Sequence, residues 1–498
     1  MIEPVVRCAG LERSYPQLLD RAARIAAGLH DLGVGPGDRV GIILRNELSF
    51  CEITLAAAAL GASPVPVNWH FTGDDLAHVL TDSGCRVIFA HTDLLPCTSA
   101  TLIEVPVPAG VAAAYGLAVP PLTGRYPVLD DWLAAYTRWD KPSAGIPQSM
   151  IYTSGTTGRP KGIMRGQASP QQRSAGLAQF QRTYRLRNGM RSLLPAPIYH
   201  TAPNSHMTNA IALGVDLTLM PRFEPEQFLR LVEEYRIQQT FMVPIMFVRL
   251  LRLPAEIRAR YDLSSLEAIV HAGAPCPVHI KRQLIDWLGP IVLEYYGGSE
   301  TGMVTWCDSR EWLAHPGTVG RPLDTADVRI IAADGSPSPA KRDGDVYLKP
   351  HDSMPDFTYH GDDTKRRGTE LDGFLTVGDI GHLDEDGFLY LSDRRRNMVI
   401  SGGVNIYPAE IESCLLTLPG VLDVAVFGIP DADYGEALAA HIEADPSADL
   451  CDEDVRAHVR AHLARYKAPK IVCFEQSLPR DESGKLVTRR LQEQYWPK

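Results

Sequence analysis

The 498-residue sequence lacks several features that would assign a chain to a class at once. Its nine cysteines are scattered without a C-x-x-C pair, which argues against a zinc or redox site, and we interpret them as small core or surface residues. The formal net charge is −11 with no strongly basic block, so nucleic-acid binding is not expected. The longest apolar run, EITLAAAALGA, is far shorter than the roughly 20 residues that span a bilayer.

The N-terminal stretch MIEPVVRCAG lacks the charged start and the long apolar core of a secretory signal, and we therefore expect a cytoplasmic protein. The chain is also too long for one ordinary hydrophobic core, so at least two domains are expected, one of them large. Small anionic ligands stay open, because a local basic cluster does not need a basic protein.

Helical and strand patterns alternate along the first part of the chain. Ser14 is a candidate helix cap, and the helix after it is predicted to end at Gly33 with one apolar face formed by Leu18, Ala22, Ile25, Ala26 and Leu29. Short apolar runs such as RVGIIL and CRVIFAH are typical of buried strands. This alternation predicts mainly parallel sheets covered by helices. Residues 103–147 are predicted to form connecting loops around one short helix.

Further apolar runs each lead into a loop of small or polar residues: SMIY, MRSLLP, DLTLMP, QTFMVP, EAIVHAG and IVLEYYG. Ligands bind at the carboxyl ends of strands in open α/β sheets, so we expect the site there. From about Gly317, alternating strands and D-G turns predict hairpins. Beyond SDRRRN the pattern predicts a compact mixed α/β unit, with helices over 408–418 and in DEDVRAHVRAHLARY and strands at DVAVFGI and KIVCFEQ. We place the domain boundary at 393–397, which gives domains of 1–393 and 397–498.

The stretch YTSGTTGRPKG follows a predicted strand and is rich in small donors. Its backbone N–H groups and hydroxyls suit phosphate oxygens, and Lys161 adds a positive charge. A Walker A loop requires lysine directly after glycine, whereas Arg159 and Pro160 intervene here, so a P-loop kinase or ATPase is not supported. Considered alone, the stretch could also be a polar surface loop, although the phosphate loop is favoured.

The chain closely resembles the adenylate-forming superfamily of acyl-CoA synthetases, adenylation domains and luciferases, from about Ser14 to Leu491. Five motifs in the family's order carry the resemblance: YTSGTTGRPKG, YYGGSETG, GFLTVGDIGHLDEDGFLYLSDRRRN, ISGGVNIYPAEIE and LPRDESGKLVTRRL. The resemblance implies a large α/β domain of parallel-type sheets flanked by helices, a small β-barrel-like subdomain and a small mobile α+β C-terminal domain. It also implies ATP, Mg²⁺ and CoA as ligands.

The motif YYGGSETG combines an aromatic ring, glycines, a hydroxyl and a carboxylate at a strand end. The resemblance implies that Tyr296 stacks on adenine, that Ser299 contacts the nucleotide and that Glu300 helps hold Mg²⁺, with Thr153 as a second ligand. A G-x-S-x-G nucleophile elbow is not supported, because Thr301 occupies the last position of that motif.

Further roles are implied by family position. Asp379, expected at a strand end, and Arg394 would bind the ribose, and the other nucleotide-binding residues would be Thr153, Ser154, Gly155, Thr156, Thr157, Gly158, Lys161, Gly273, Ala274 and Gly297. Lys485 would bridge the substrate carboxylate and the α-phosphate while an acyl-adenylate and pyrophosphate form. The C-terminal domain would then rotate about a hinge at Arg396, where the family usually has lysine or aspartate. That rotation would bring a loop to the CoA arm, formed by Ser401, Gly402 and Gly403.

The acyl pocket is assigned by family position to Tyr199, His200, Asn204, Val243, His271, Gly273 and Gly298, with His200 near the acyl carboxylate. The two glycines leave space, and His271 and Asn204 add polarity, which favours a bulky aromatic, alicyclic or medium to long-chain acid over acetate. Two alternative functions stay open: a ligase that loads a carrier protein, and a non-catalytic nucleotide-binding module. A homodimer also stays open as the oligomeric state.

Overall fold

Strands and helices alternate along the chain in the computed structural model, which describes residues 3–141, 148–153, 160–395, 397–401, 404–480 and 486–496. The elements up to residue 141 are β1 (Val5–Cys8), β2 (Leu11–Ser14), α1 (Tyr15–Asp31), β3 (Arg39–Ile43), α2 (Leu48–Ala59), β4 (Ser63–Pro66), α3 (Gly73–Ser83), β5 (Val87–His91), β6 (Thr101–Val105), α4 (Ala109–Ala114) and α5 (Leu129–Ala134).

The middle of the chain continues the alternation. Its elements are β7 (Ile151–Thr153), β8 (Lys161–Arg165), α6 (Pro170–Tyr184), β9 (Arg191–Leu194), α7 (Thr201–Ala212), β10 (Asp216–Leu219), α8 (Pro225–Glu234), β11 (Gln239–Met242), α9 (Pro244–Leu251), α10 (Ala255–Arg258), β12 (Ala268–His271), α11 (Val278–Leu288), β13 (Val292–Gly298), β14 (Gly302–Cys307) and α12 (Ser309–Ala314).

The last third is richer in strands. Its elements are β15 (Arg321–Pro322), β16 (Asp327–Ile331), β17 (Gly344–Lys349), β18 (Phe357–Tyr359), α13 (Asp363–Arg367), β19 (Glu370–Leu371), β20 (Phe374–Leu383), β21 (Leu389–Arg394), β22 (Val399–Ser401), β23 (Val404–Ile406), α14 (Pro408–Leu415), β24 (Val421–Asp431), β25 (Gly435–Ala444), α15 (Asp452–His462), β26 (Ile471–Glu475) and α16 (Thr488–Gln492).

Helix α1 begins as the sequence predicts. The Ser14 side chain accepts a hydrogen bond from the Gln17 amide, and the Gln17 side chain accepts one from the Ser14 amide, which is a capping box. The predicted apolar face is confirmed, since its members are all buried: Leu18, Ala22, Ile25, Ala26 and Leu29. The helix is thereby fixed against the core at both its start and its face.

A nine-stranded sheet in the order β15-β14-β13-β12-β11-β9-β10-β1-β2 dominates the N-terminal region. Its central pairs, from β13 through β10 to β1, are parallel. Antiparallel strands lie at both edges. A second, four-stranded sheet in the order β4-β3-β5-β6 is entirely parallel. The carboxyl ends of neighbouring parallel strands meet at one edge, and the α/β fold class is confirmed.

The prediction for residues 103–147 was wrong in part. Strand β6 pairs with β5 in the parallel sheet, and two short helices, α4 and α5, follow it rather than one. Each of these helices has only six residues. So short a segment carries less than two turns of periodic pattern, and proline-rich flanks hide it further.

Two smaller antiparallel sheets bring distant parts of the chain together. In the three-stranded sheet β18-β8-β7, Tyr359 pairs with Ile163 and Thr153 pairs with Lys161. The small β subdomain is a five-stranded sheet in the order β16-β17-β20-β19, with β21 paired to β20. There Asp379 lies directly opposite Arg394.

The C-terminal region has a sheet of its own, in the order β23-β22-β25-β24 with β26 beside β25. Helices α14 and α15 share one apolar core with it, built from residues that include Ile411, Leu415, Val455 and Val459. The helix predicted over 408–418 ends at Leu415. The boundary at 393–397 stays a prediction. No helix in the described ranges has the length and apolar character that crossing a bilayer demands.

Candidate active site

One cavity of about 3080 Å³ lies where the carboxyl ends of β9, β11, β12 and β13 meet the smaller sheets. Its walls include Lys161, Tyr296, Glu300, Asp379 and Arg394, which come from four different stretches of the sequence. The residues that the sequence assigns to base, ribose, phosphate and metal therefore face the same space. Two clusters of side chains organise this wall.

The first cluster, here named the Asp379 group, consists of Tyr296, Asp379 and Arg394. The Tyr296 hydroxyl donates to Asp379 Oδ2 at 2.6 Å, and Arg394 Nε donates to Asp379 Oδ1 at 3.0 Å. Burial and the Asp379 carboxylate raise the pKa of Tyr296 well above its usual value, so the tyrosine stays a donor. Asp379 is buried within β20 and not at a strand end, which corrects the sequence-based placement.

The second cluster, here named the Glu300 group, consists of Lys161, Glu300 and Tyr359. The Tyr359 hydroxyl donates to Glu300 Oε1 at 3.0 Å, and Lys161 Nζ lies 5.5 Å from the centre of the Tyr359 ring. Lys161 Nζ is buried and has no hydrogen-bond partner among the residues that the structure describes. A buried ammonium without a partner is costly, and an anionic ligand would satisfy it.

Arg165 fixes the turn that carries Glu300. Its Nη2 donates to the carbonyl oxygens of Ser299 and Glu300 at 2.6 and 2.9 Å, and its Nη1 donates to the Pro355 carbonyl at 3.0 Å. Burial lowers the pKa of Arg165 to about 10, while the nearby Glu300 and Asp356 carboxylates oppose that shift. The guanidinium still carries its charge at neutral pH and holds the turn from behind.

The turn itself leaves no room for larger residues. A Cβ atom at Gly297 would stand 1.8 Å from the Gly302 carbonyl oxygen, so any side chain there would break the β13–β14 pairing. The Gly298 amide donates to Thr301 Oγ1 at 2.8 Å, and Ser299 Oγ lies 2.6 Å from Thr201 Oγ1. The Ser299 hydroxyl is thus tied to the first residue of α7, close to where the sequence places the acid.

Five of the residues that the sequence assigns to the acyl pocket line the cavity: His200, Asn204, Val243, Gly273 and Gly298. Ala274, which the sequence assigns to the nucleotide, lines it as well. His200 is the N-cap residue of α7. Asn204 Oδ1 accepts from Ser149 Oγ at 2.8 Å, and Asn204 Nδ2 donates to the Ile198 carbonyl at 3.2 Å, so its amide is held in one orientation. Gly273 has φ of +87°, a conformation that favours glycine.

Comparison with known protein families matches residues 3–355 to the AMP-binding enzyme family and residues 410–485 to the AMP-binding enzyme C-terminal domain. The chain belongs to the AMP-binding enzyme family. It is 31% identical to the long-chain-fatty-acid–CoA ligase FadD13 of Mycobacterium tuberculosis, over 97% of this chain and 93% of that protein. It is 30% identical to the fatty acid–[acyl-carrier-protein] ligase ScoC of Streptomyces coeruleorubidus, over 99% and 93%.

Solved structures agree with this membership. The amide bond synthetase McbA from Marinactinospora thermotolerans superposes with a TM-score of 0.82 at 26% identity, covering 99% of this chain and 97% of that one. The three proteins named here differ in the reaction that their names give: a CoA ligase, an acyl-carrier-protein ligase and an amide bond synthetase. Membership of the AMP-binding family therefore establishes an enzyme of adenylate-forming chemistry and leaves the acceptor to be argued separately.

Two predicted pocket residues do not line the cavity of this AMP-binding enzyme. Tyr199 is buried beside His200, with ring centres 4.5 Å apart. His271 is fully buried, its ring packs edge-on against Phe247 at 5.2 Å, and its Nε2 lies 3.6 Å from a Glu294 oxygen. Burial, together with the Lys281 charge, lowers the pKa of His271 well below its usual value. Sequence position alone could not show whether the side chains of Tyr199 and His271 point into the cavity or into the core.

Several other predicted residues lie outside the described ranges, and their roles stay predictions: Ser154, Gly155, Thr156, Thr157, Gly158, Arg396, Gly402, Gly403 and Lys485. Thr153 ends β7 on the cavity wall. Ser401 ends β22 and pairs with Gly435. The structure thus describes the residue just before each of two motif loops, at Thr153 and at Ser401, and not the loops themselves.

Sequence reasoning missed three residues that shape the site: Thr201, Arg165 and Tyr359. Arg165 and Tyr359 meet because β8 pairs with β18 across nearly 200 positions of the chain. No local pattern announces such a pairing. The only available signal was the short strand-like run DFTYH, whose aromatic residues could have been assigned to a ligand site.

Proposed function

We propose that this AMP-binding enzyme is an ATP-dependent acid–CoA ligase. It would convert a carboxylic acid and ATP into an acyl-adenylate and pyrophosphate, and then transfer the acyl group to CoA with release of AMP. The observation that carries the proposal is the shared cavity. Members of both the Asp379 group and the Glu300 group line it, and the Glu300 group includes the buried Lys161 ammonium.

The Asp379 group fits the nucleoside end of ATP. Asp379 already accepts hydrogen bonds from Tyr296 and Arg394, and a carboxylate has further lone pairs for vicinal ribose hydroxyls. The Tyr296 ring, half-exposed at the end of β13, offers an apolar face for adenine. Lys161 Nζ, lacking a hydrogen-bond partner in the described part of the chain, fits a phosphate oxygen.

Oxygen donors at Glu300 and Thr153 are of the type that Mg²⁺ prefers, and they would hold it beside the phosphates. When bound, Mg²⁺ would neutralise charge on the phosphate oxygens. The protein's own part is to keep Glu300 in position, through the Tyr359 hydroxyl on its carboxylate and the Arg165 guanidinium on its backbone.

The first reaction would form a bond between an oxygen of the acid and the α-phosphorus, while the bond from that phosphorus to the pyrophosphate oxygen breaks. Repulsion between the two anions opposes the approach. Lys161 on the phosphates and Lys485 between the carboxylate and the α-phosphate would stabilise the developing charge. His200, at the start of α7, would orient the acid.

The second reaction would form a thioester as the CoA sulfur attacks the acyl carbonyl, the thiol proton is lost and AMP leaves. Lys485 must withdraw from that carbonyl first. Rotation of the C-terminal domain about Arg396 would achieve this and would bring Ser401, Gly402 and Gly403 to the pantetheine arm. Support for CoA comes from the relative named as a CoA ligase, matched over 97% of this chain.

A second candidate function is transfer of the acyl-adenylate to a carrier protein. It is favoured by the 30% identity to a protein named as a fatty acid–[acyl-carrier-protein] ligase. A non-catalytic binding module is disfavoured, because such a module would not need Lys485 in addition to the nucleotide residues. A cytoplasmic location is proposed with the CoA ligase function.

The test is a panel of aromatic, alicyclic and medium to long-chain acids incubated with ATP alone, with CoA, or with a phosphopantetheinylated carrier protein. Mass spectrometry should show adenylates without acceptor, and thioesters of CoA with AMP and pyrophosphate when CoA is present. Thioesters on the carrier protein alone would favour the second candidate. Formation of ADP, or no adenylate with any acid, would contradict the proposal.

A matched pair of variants tests the lysine. Lys485→Ala should lower pyrophosphate release by about 100-fold or more while ATP binding is largely retained, because a preorganised charge is lost from the transition state. Arg465→Ala removes an exposed cation of the C-terminal region that does not line the cavity, and it should leave the rate unchanged. Equal rates for Lys485→Ala and the unmodified enzyme would remove Lys485 from the mechanism.

A further inference from the structure

Three side chains with metal-binding chemistry converge in the C-terminal region, outside both groups of the active site. Cys414 lies near the end of α14, and His458 and His462 lie four residues apart on α15. The Cys414 sulfur and one ring nitrogen from each histidine all lie within 4.8 Å of one another. Residues four apart on a helix share a face, so both rings point toward the same neighbouring helix.

The two helices that carry the cluster are packed together. Ile411 and Leu415 of α14 share a buried core with Val455 and Val459 of α15. This contact sets the backbone on both sides of the cluster. The three ligands are therefore presented by packed helices and not by loops, which is the support that a metal centre needs.

Backbone contacts orient both rings. His462 Nδ1 lies 2.9 Å from the His458 carbonyl oxygen, and His458 Nε2 lies 3.2 Å from the Cys414 carbonyl oxygen. A carbonyl oxygen can only accept, so each neutral ring donates through one nitrogen and keeps a lone pair on the other. Histidines that bind metals are held in this way, with the second ring nitrogen donating to a carbonyl or carboxylate.

We propose that Cys414, His458 and His462 form a binding site for a transition metal of borderline softness, namely Zn²⁺ or Co²⁺. One thiolate and two imidazoles suit these ions, with metal–sulfur and metal–nitrogen bonds of about 2.3 and 2.0–2.1 Å. In a tetrahedral site with bonds of those lengths the ligand atoms lie roughly 3.3–3.8 Å from one another. Rotation of the three side chains would bring the present separations, which are all within 4.8 Å, into that range. Glu410, one turn before Cys414, is paired with Lys467, which leaves the fourth position to water.

Another cluster, His315 with Asp384 and Asp386, differs from this one. His315 Nδ1 is 3.0 Å from Asp384 Oδ2, and its ring stacks on Phe388. The other Asp384 oxygen accepts from the amides of Asp386 and Phe388. These are the contacts of a closed turn, and they account for the cluster without a metal ion.

The experiment uses the full chain, freed of metal with a chelator and titrated with Co²⁺ alone. Binding through Cys414 should produce a thiolate-to-cobalt charge-transfer band that saturates at a single equivalent, and Zn²⁺ should displace it. Cys414→Ser should lose the band, and His462→Ala should weaken Co²⁺ binding by at least about 10-fold. Cys97→Ser alters an exposed thiol of the N-terminal region and should keep it.

His462 is exposed, so His462→Ala should fold normally, and circular dichroism checks this. Zn²⁺ should raise the melting temperature of the unmodified chain by more than that of His462→Ala, because the unmodified chain binds the ion more tightly in its folded state. A missing band in the unmodified chain, a band that persists in Cys414→Ser, or equal Zn²⁺ affinity for His462→Ala and the unmodified chain would overturn the proposal.

Discussion

The Asp379 group and the Glu300 group are built from the same three kinds of side chain and differ in where the cation lies. Each has a tyrosine hydroxyl that donates to a carboxylate, at 2.6 Å for Tyr296 and 3.0 Å for Tyr359. In the first, Arg394 binds its carboxylate directly at 3.0 Å. In the second, Lys161 Nζ lies over the tyrosine ring and bonds to no described residue.

Under the proposed function, this difference would correspond to two kinds of ligand. A carboxylate already paired with arginine carries little net charge as a unit. It can accept hydrogen bonds from uncharged ribose hydroxyls and does not attract a further cation. A carboxylate and an ammonium that are held apart present both signs of charge, which suits phosphate oxygens together with a metal ion. The Glu300 group of the free protein is thus electrostatically unfavourable, because its buried ammonium has no hydrogen-bond partner in the described part of the chain, and a bound anionic ligand would remove that cost.

The largest expected effect is that of Glu300→Gln. The substitution keeps the size of the side chain and removes the charge, and we expect pyrophosphate release to fall by about 100-fold or more. The rate is measured with saturating acid and ATP over a range of Mg²⁺ concentrations. Glu385→Gln, at an exposed carboxylate paired with Lys341, is the control and should behave as the unmodified enzyme. If Glu300→Gln kept the rate and the Mg²⁺ dependence of the unmodified enzyme, the proposed difference between the Glu300 group and the Asp379 group would be contradicted.

Lys161→Met should have the next largest effect, and in two opposite directions. Without ATP the variant should melt at a higher temperature, since a buried ammonium with no partner in the described chain is replaced by an apolar group of similar length. Its affinity for ATP should fall by roughly 10-fold, because a charge-assisted bond to phosphate is lost.

Arg394→Met is the matched comparison for Lys161→Met. It should lower the melting temperature without ATP, since it leaves the buried Asp379 carboxylate without its cation. Calorimetric binding and thermal unfolding together give the signs. If both variants lost stability, the proposed separation of charge in the Glu300 group would be contradicted.

Two tyrosine variants would sharpen the comparison with smaller effects. Tyr296→Phe and Tyr359→Phe each remove one donor and keep the ring, at a cost of about 0.5–1.5 kcal/mol, or roughly 2- to 10-fold. Tyr296→Phe should mainly raise KM for ATP, because in the proposed mechanism Asp379 would bind substrate in ground and transition states alike. Tyr359→Phe should mainly lower kcat, because Glu300 would act where charge develops. Steady-state kinetics separates the two, and the reverse assignment would count against both roles.

The sequence predicted the parts of the site that depend on local pattern. The Ser14 cap of α1 and the parallel strands with their carboxyl ends follow from turn residues and periodicity, and Tyr296, Glu300 and Asp379, which the motifs assign to one ligand, line one cavity. It could not predict the partners that arrive through strand pairing between distant segments. Arg165 and Tyr359 are of that kind, since they depend on the β8–β18 register.

The sequence also could not predict which way the side chains of buried polar residues point. His271 ends a strand whose neighbours Ala272 and Gly273 line the cavity, but its own ring points into the core against Phe247. Either orientation satisfies the apolar pattern of that strand. Whether a polar residue decorates a cavity or fills a core is decided by packing from several directions, which one segment of sequence does not contain.

A half-buried carboxylate extends the comparison to the C-terminal region, where Glu412 has neither tyrosine nor paired cation on its oxygens among the described hydrogen bonds. Its Oε1 accepts from the Val426 amide at 2.8 Å. Burial, with the charges of Asp393 and Asp423, raises the pKa of Glu412 from its usual 4.5 to about 7, although the Val426 bond and Arg480 oppose this. Because the folded state favours the protonated form, the stability that Glu412 contributes is present below pH 4.5 and lost as the pH rises through about 7.

Glu412→Gln should therefore have the smallest effect and one visible only as a pH dependence. The variant mimics the protonated side chain, so the loss of stability between acid and mildly alkaline pH should shrink by on the order of 1–2 kcal/mol. Melting temperatures at pH 5 and pH 8 measure it. Glu443→Gln is the matched control, since its carboxylate likewise accepts from a backbone amide, that of Leu478, and it should keep the pH dependence of the unmodified chain. An equally steep loss in Glu412→Gln would place the titrating group elsewhere, and Glu412 would then resemble Asp379 in being balanced by its surroundings.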